Sequence, residues 1–153
     1  MKSRARAFAR AGALAAAIVV VDQLTKAAVV SSIDVGEVRK FLPAVQLVHV
    51  RNTGVAFSLF SGGGTLVLVF TLVALAMLAY YLALRPERPW LWLPTGLLIG
   101  GAIGNLIDRI VHGAVTDFGK LPAWPAFNIA DVSITFGVLA LLWVLEGPRR
   151  DER

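Results

Sequence analysis

The chain has 153 residues, 57% of them hydrophobic, with a mean hydropathy of +0.71, which is too apolar for a soluble domain of this length. Its net charge of +5 accompanies long apolar runs, so the basic residues point to membrane orientation rather than to nucleic acid. With no cysteine and only His49 and His112, it has no disulfide framework, no thiol nucleophile, no Cys-ligated metal and no His-Glu-x-x-His zinc protease motif.

The length fits one domain, 1–153. Lys2, Arg4, Arg6 and Arg10 precede the first apolar segment, about 11–30, which carries Asp22, Gln23, Thr25 and Lys26. Roughly 20 apolar residues cross a bilayer core, so this segment predicts a transmembrane helix. A basic start followed by 11–21 also has the look of a signal peptide. Its removal would leave Asp22 to Lys26 awkwardly placed and an uneven number of spans, so an uncleaved helix is the simpler reading.

The connection 31–63 is long, and over 44–52 it mixes β-branched and polar residues. Partial alternation there, with Gln46, Val48, Val50 and Asn52 on one face, predicts a small strand region. Ser61-Gly62-Gly63-Gly64 is a flexible link into the second predicted helix, about 65–84. Pro86 and Pro89 mark a tight turn before the third, about 90–109. The outer connection that follows, 112–127, contains Asp117, Pro122 and Pro125 and reads as a loop. The fourth helix, about 128–146, carries Asp131 in its first turn. The fold class is thus an all-α membrane protein of four transmembrane helices with a small extracytoplasmic β region.

Nine of the 15 basic residues fall in the N-terminus, the 85–88 turn and the C-terminus, which share one side of a four-span topology. The positive-inside rule puts that side, and both termini, in the cytoplasm. Trp90, Trp92, Trp124 and Trp143 suit interface positions.

Polar residues converge at one depth. At about 1.5 Å per residue, Asp22 and Lys26 lie roughly 18 and 24 Å above Arg10, and Asn105 and Arg109 lie roughly 22 and 28 Å above Trp90. Asp117 and Asp131 belong to the same outer level. Asp22 and Lys26 share a helix face, as do Asn128 and Asp131. Gly101, Asn105, Asp108 and Arg109 cluster on one side of the third helix, beside a row of Gly96, Gly100 and Gly104 that admits a close neighbour.

An ionisable group at membrane depth is costly and marks a functional site by default. Two carboxylates sharing a proton can activate water. The blander role for Asp117 and Asp131 is pairing with Arg109 or Lys120. For Asp22 and Lys26 an ion pair that fixes the first helix is the favoured role. Arg109 has two readings, holding a substrate headgroup or neutralising a carboxylate, and Asp108 has the simple role of holding Arg109. Asn52 alone reads as a turn residue. The two histidines read as interfacial or structural. A serine–lysine hydrolase would draw on Ser31, Ser32, Ser58 or Ser61 with Lys26, but Asp22 one turn away favours the charged lysine and counts against it. A proton-coupled carrier, with Asp22 or Asp131 binding protons, and a non-enzymatic assembly subunit are the other classes.

Five runs taken together resemble the ordered motifs of the bacterial lipoprotein signal peptidases. They are Asp22-Gln23-Leu24-Thr25-Lys26, Asn52-Thr53-Gly54-Val55-Ala56-Phe57, the run from Gly100 to Arg109, Val115-Thr116-Asp117-Phe118 and Phe127-Asn128-Ile129-Ala130-Asp131. The resemblance implies an aspartic endopeptidase of the inner membrane. It would cut diacylglyceryl-modified prolipoproteins just before the lipidated cysteine of their lipobox. It implies Asp117 and Asp131 as the catalytic dyad and Asn52, Asn105, Arg109 and Asn128 as substrate contacts. Asp22, Lys26, Gly54, Asp108 and Ala130 are implied as support. It also implies an outer β-cradle with a small amphipathic helix, contact with membrane lipids, inhibition by globomycin-type antibiotics, and no metal or cofactor.

Overall fold

The computed structural model describes residues 2–53 and 63–146. In chain order the elements are α1 (Lys2–Ser32), β1 (Val38–Leu42), β2 (Val45–Asn52), α2 (Gly63–Leu84), α3 (Trp92–His112), β3 (Val115–Lys120) and α4 (Ile129–Glu146). Each expected helix is present. α1 starts well before residue 11, because the Arg- and Ala-rich start has high helix propensity and contains no breaker. Arg4–Ser32 and Ile129–Glu146 are long and apolar enough to cross a membrane.

The core seam runs between α1 and α3. Ala7, Ala11 and Ala15 are buried along one face of α1, and small residues there let the backbones approach. The facing glycine row leaves no room to spare: a Cβ on Gly100 would lie 2.9 Å from the Ala15 carbonyl oxygen. Gly101 faces the other way, where a Cβ would sit 2.5 Å from the Ala130 carbonyl oxygen on α4. α3 is thus clamped between α1 and α4. Of α2, Leu82 is buried, while Val73, Met77 and Tyr80 point outward.

The three strands form one antiparallel sheet in the order β1-β2-β3. Its third strand corrects the expectation for 112–127: Asp117 lies on a strand, paired with Val50 of β2, rather than in a mobile loop. Gly113 ends α3 at φ 71°, and its N–H donates to the Arg109 carbonyl at 3.1 Å, which turns the chain directly into β3. The expected alternation of β2 fails at a register shift between Leu47 and Val50, which buries both Val48 and His49. His49 is structural: its Nδ1 lies 2.8 Å from the Ile33 carbonyl oxygen. The amphipathic helix implied for the first outer connection is not found over 33–53, and 54–62 lie outside the described residues.

Candidate active site

The site begins with a helix cap. Asn128 precedes α4, and its Oδ1 accepts the Asp131 N–H at 2.9 Å, while Asp131 Oδ2 accepts the Asn128 N–H at 3.2 Å. This reciprocal pair is a capping box written with Asn and Asp. It fixes the Asp131 carboxyl group in the first turn of α4. Asp131 Oδ1 takes a further bond from Asn105 Nδ2 on α3, at 2.8 Å.

Asp117 comes from the sheet. Its Oδ1 accepts from Asn128 Nδ2 at 2.7 Å and its Oδ2 from Asn52 Nδ2, at the end of β2, at 3.0 Å. Asn128 therefore touches both aspartates through one side chain and one backbone N–H. Asp117 is only 2% exposed. Burial is the main reason its pKa is raised from 3.8 to about 6. The Asn52 hydrogen bond opposes the rise, the Asp131 charge adds to it, and the Asn128 bond and the Lys26 charge also oppose it.

Behind the pair lies an ionic cluster. Lys26 Nζ is 2.7 Å from Asp22 Oδ2 and 3.1 Å from Asp108 Oδ2, and it donates to Asn105 Oδ1 at 3.1 Å. Asp22 Oδ1 accepts the Ala130 N–H at 2.9 Å, and Asp108 Oδ2 accepts the Thr116 N–H at 2.9 Å. Among the described residues, no buried side-chain polar atom lacks a hydrogen-bond partner.

Most of the residues that the sequence marks meet at this one place. Asp22, Lys26, Asn52, Asn105, Asp108, Asp117, Asn128, Ala130 and Asp131 form a continuous network. Gly54, Ser58 and Ser61 lie outside the described residues. Asp108 does not hold Arg109; its oxygens serve Lys26, Thr116 and Gln23. Arg109 reaches the Asn105 carbonyl oxygen at 3.4 Å and, like Lys120, makes no ion pair with either aspartate among the described residues. Gln23 joins the site although the sequence alone suggests no role for it. Its Nε2 spans the seam, bonding Asp108 at 3.0 Å and the Gly104 carbonyl at 3.2 Å. Its position beside Asp22 in the first motif is the one signal that points to it.

A helical bundle with outward apolar faces and a carboxylate pair at one end defines an integral membrane protein with a polar site at its rim. Comparison with known proteins makes the family specific. Residues 14–146 match the family described as signal peptidase (SPase) II. A lipoprotein signal peptidase of Moorella thermoacetica is 40% identical over 144 residues, covering 91% of this chain and 94% of its own. One from Azoarcus sp. is 45% identical over 141 residues, covering 85% and 78%. A bacterial membrane enzyme structure obtained by the in meso method at 1.9 Å superposes with a TM-score of 0.85 at 30% identity, covering 91% of this chain and 94% of that one. The chain belongs to the signal peptidase II family of peptidases.

Proposed function

We propose that this protein is a single-domain membrane aspartic endopeptidase that removes the signal peptide from diacylglyceryl-modified prolipoproteins, cutting before the lipidated cysteine. The observation that carries the reading is Asn128, bonded at once to Asp117 and to Asp131. Two carboxyl groups tied to one residue, one through its side-chain amide and one through its backbone N–H, and each also bonded to a second asparagine, suit a pair that shares a proton.

The pair shares one proton, and burial, which raises the Asp117 carboxyl to about 6, favours the form in which Asp117 carries it. Asp131 takes a proton from water, whose oxygen attacks the scissile carbonyl carbon. Asp117 gives its proton to the carbonyl oxygen, which leaves a tetrahedral diol. On collapse the C–N bond breaks, the amine leaves with the proton from Asp131, and a diol proton returns to Asp117. Asn52, Asn105, Arg109 and Asn128 hold the peptide in register.

Four spans with both termini in the cytoplasm put this site at the outer face of the inner membrane, as the basic residues of the first turns and of 85–88 favour. Acyl chains then remain in lipid while the peptide reaches the aspartates, with the sheet as an outer cradle. A proton-coupled carrier using Asp22 finds no support, because that carboxylate is committed to Lys26 and Ala130.

The test is cleavage of a diacylglyceryl-modified lipobox peptide by the purified protein, with and without globomycin. Asp117→Asn and Asp131→Asn are expected to insert normally and to lose cleavage by at least about 100-fold. Normal processing by either variant would overturn the dyad.

A further inference from the structure

The ionic cluster behind the dyad does more than neutralise itself. Asp22 grips the N–H of Ala130, the residue before Asp131. Asp108 grips the N–H of Thr116, the residue before Asp117. Lys26 binds both carboxylates. One ammonium thus links the helix end that carries one aspartate to the strand that carries the other, across four elements of the fold.

The same ammonium sets a direction. An ammonium can only donate hydrogen bonds. Asn105 must therefore turn Oδ1 toward Lys26, which leaves Nδ2 facing Asp131 Oδ1 at 2.8 Å. The same Asn105 oxygen accepts Asn128 Nδ2 at 3.0 Å, and that NH2 group also reaches Asp117 Oδ1 at 2.7 Å. Both amides present NH2 groups to carboxylates because one lysine dictates the order. Without it, Asn105 could reverse and set its oxygen against Asp131. Lys26 has three protons and three acceptors, is 3% exposed, and has no capacity left for a reacting group.

We infer that Lys26 is a positioning residue, which sets the spacing of Asp117 and Asp131 through Asp108 and Asp22 and the polarity of the asparagine relay between them. The inference rests on the aspartic peptidase reading above.

Removing Lys26 alone would leave two unpaired buried carboxylates, so the decisive variant is the neutral triple Asp22→Asn, Lys26→Met, Asp108→Asn. Thermal unfolding in detergent and steady-state cleavage of the lipobox peptide are read together. The triple is expected to keep its melting temperature to within a few degrees and its KM to within about threefold. Its kcat should fall by about 100-fold, the scale of an ångström of misplacement near the chemistry. Wild-type kcat in the folded triple overturns the inference and leaves Lys26 as a counter-ion. If the triple does not fold, Lys26→Arg decides. It keeps the charge and the donor-only character but displaces the donors, so a positioning role gives a folded protein with kcat about 5- to 50-fold down and KM unchanged. Wild-type kcat for Lys26→Arg again leaves only charge balance. Failure of the underlying reading looks different: cleavage would survive Asp117→Asn or Asp131→Asn, whatever Lys26 does.

Discussion

The two ends of the α1–α3 seam solve the same packing problem with opposite chemistry. At the end nearer the N-terminus of α1, Gly96 and Gly100 meet the backbone of Ala11 and Ala15, and charged residues serve helix ends: Arg88 donates to the Val144 and Leu145 carbonyls, and Arg4 to that of Ala83. At the end nearer β3, Gly104 meets a carboxylate, and Asp22, Lys26, Asn105 and Asp108 close the seam with buried polar contacts. Packing of small residues gives close contact without direction. Buried charge costs desolvation, and its return is orientation rather than stability. The glycine–alanine end holds the helices together; the polar end aims them.

That contrast can be broken by matched substitutions. The largest effect is expected at Gly104. Its Cβ would sit 2.6 Å from Asp22 Oδ2, the oxygen that Lys26 holds at 2.7 Å. Gly104→Ala is expected to lower the cleavage rate by about 10- to 100-fold while unfolding changes little. Gly100→Ala meets backbone instead, so about 1–3 kcal/mol of stability goes and the surviving folded protein cleaves normally. Equal rates in the two folded variants would erase the distinction between the ends. Arg88→Gln is a milder probe of the glycine–alanine end: loss of its bonds to α4 costs about 0.5–1.5 kcal/mol in unfolding experiments and leaves kcat unchanged.

The smallest expected effect is a titration. Asp117 should protonate at about 6 by infrared difference spectroscopy, with the band assigned through Asp117→Asn. Asn52→Ala removes a bond that lowers this pKa and moves the midpoint up; Asp131→Asn removes a charge that raises it and moves the midpoint down. Because the folded value lies above the ordinary 3.8, this carboxyl favours the folded state most below pH 3.8. That contribution is lost as pH rises through about 6. A midpoint near 3.8 would contradict the dry environment assigned to Asp117.

Much of the seam is legible in the order of residues alone. Apolar runs of bilayer length locate four helices, and i,i+4 spacing pairs Asp22 with Lys26. The i,i+3 spacing of Asn128 and Asp131 puts them on one face, where they form the capping box. β3 is not legible in this way, because Val115–Lys120 is short and its partner is β2, more than sixty residues earlier. Strand formation there depends on that distant edge more than on local propensity. The role of Asp108 is hidden for a related reason. Adjacency in sequence suggests Arg109, whereas successive helical residues point in different directions and Asp108 faces Lys26 and β3.

The sheet joins two connections that the ribosome makes far apart, since Val50 pairs with Asp117 and Asn52 reaches Asp117 Oδ2. When β2 has been synthesised, the strand that will carry the first aspartate does not yet exist, and the second aspartate follows later still on α4. A nascent chain stalled after α2 therefore holds two strands of the sheet and neither aspartate. On the proposed dyad, cleavage therefore depends on the last two elements of the chain to be made.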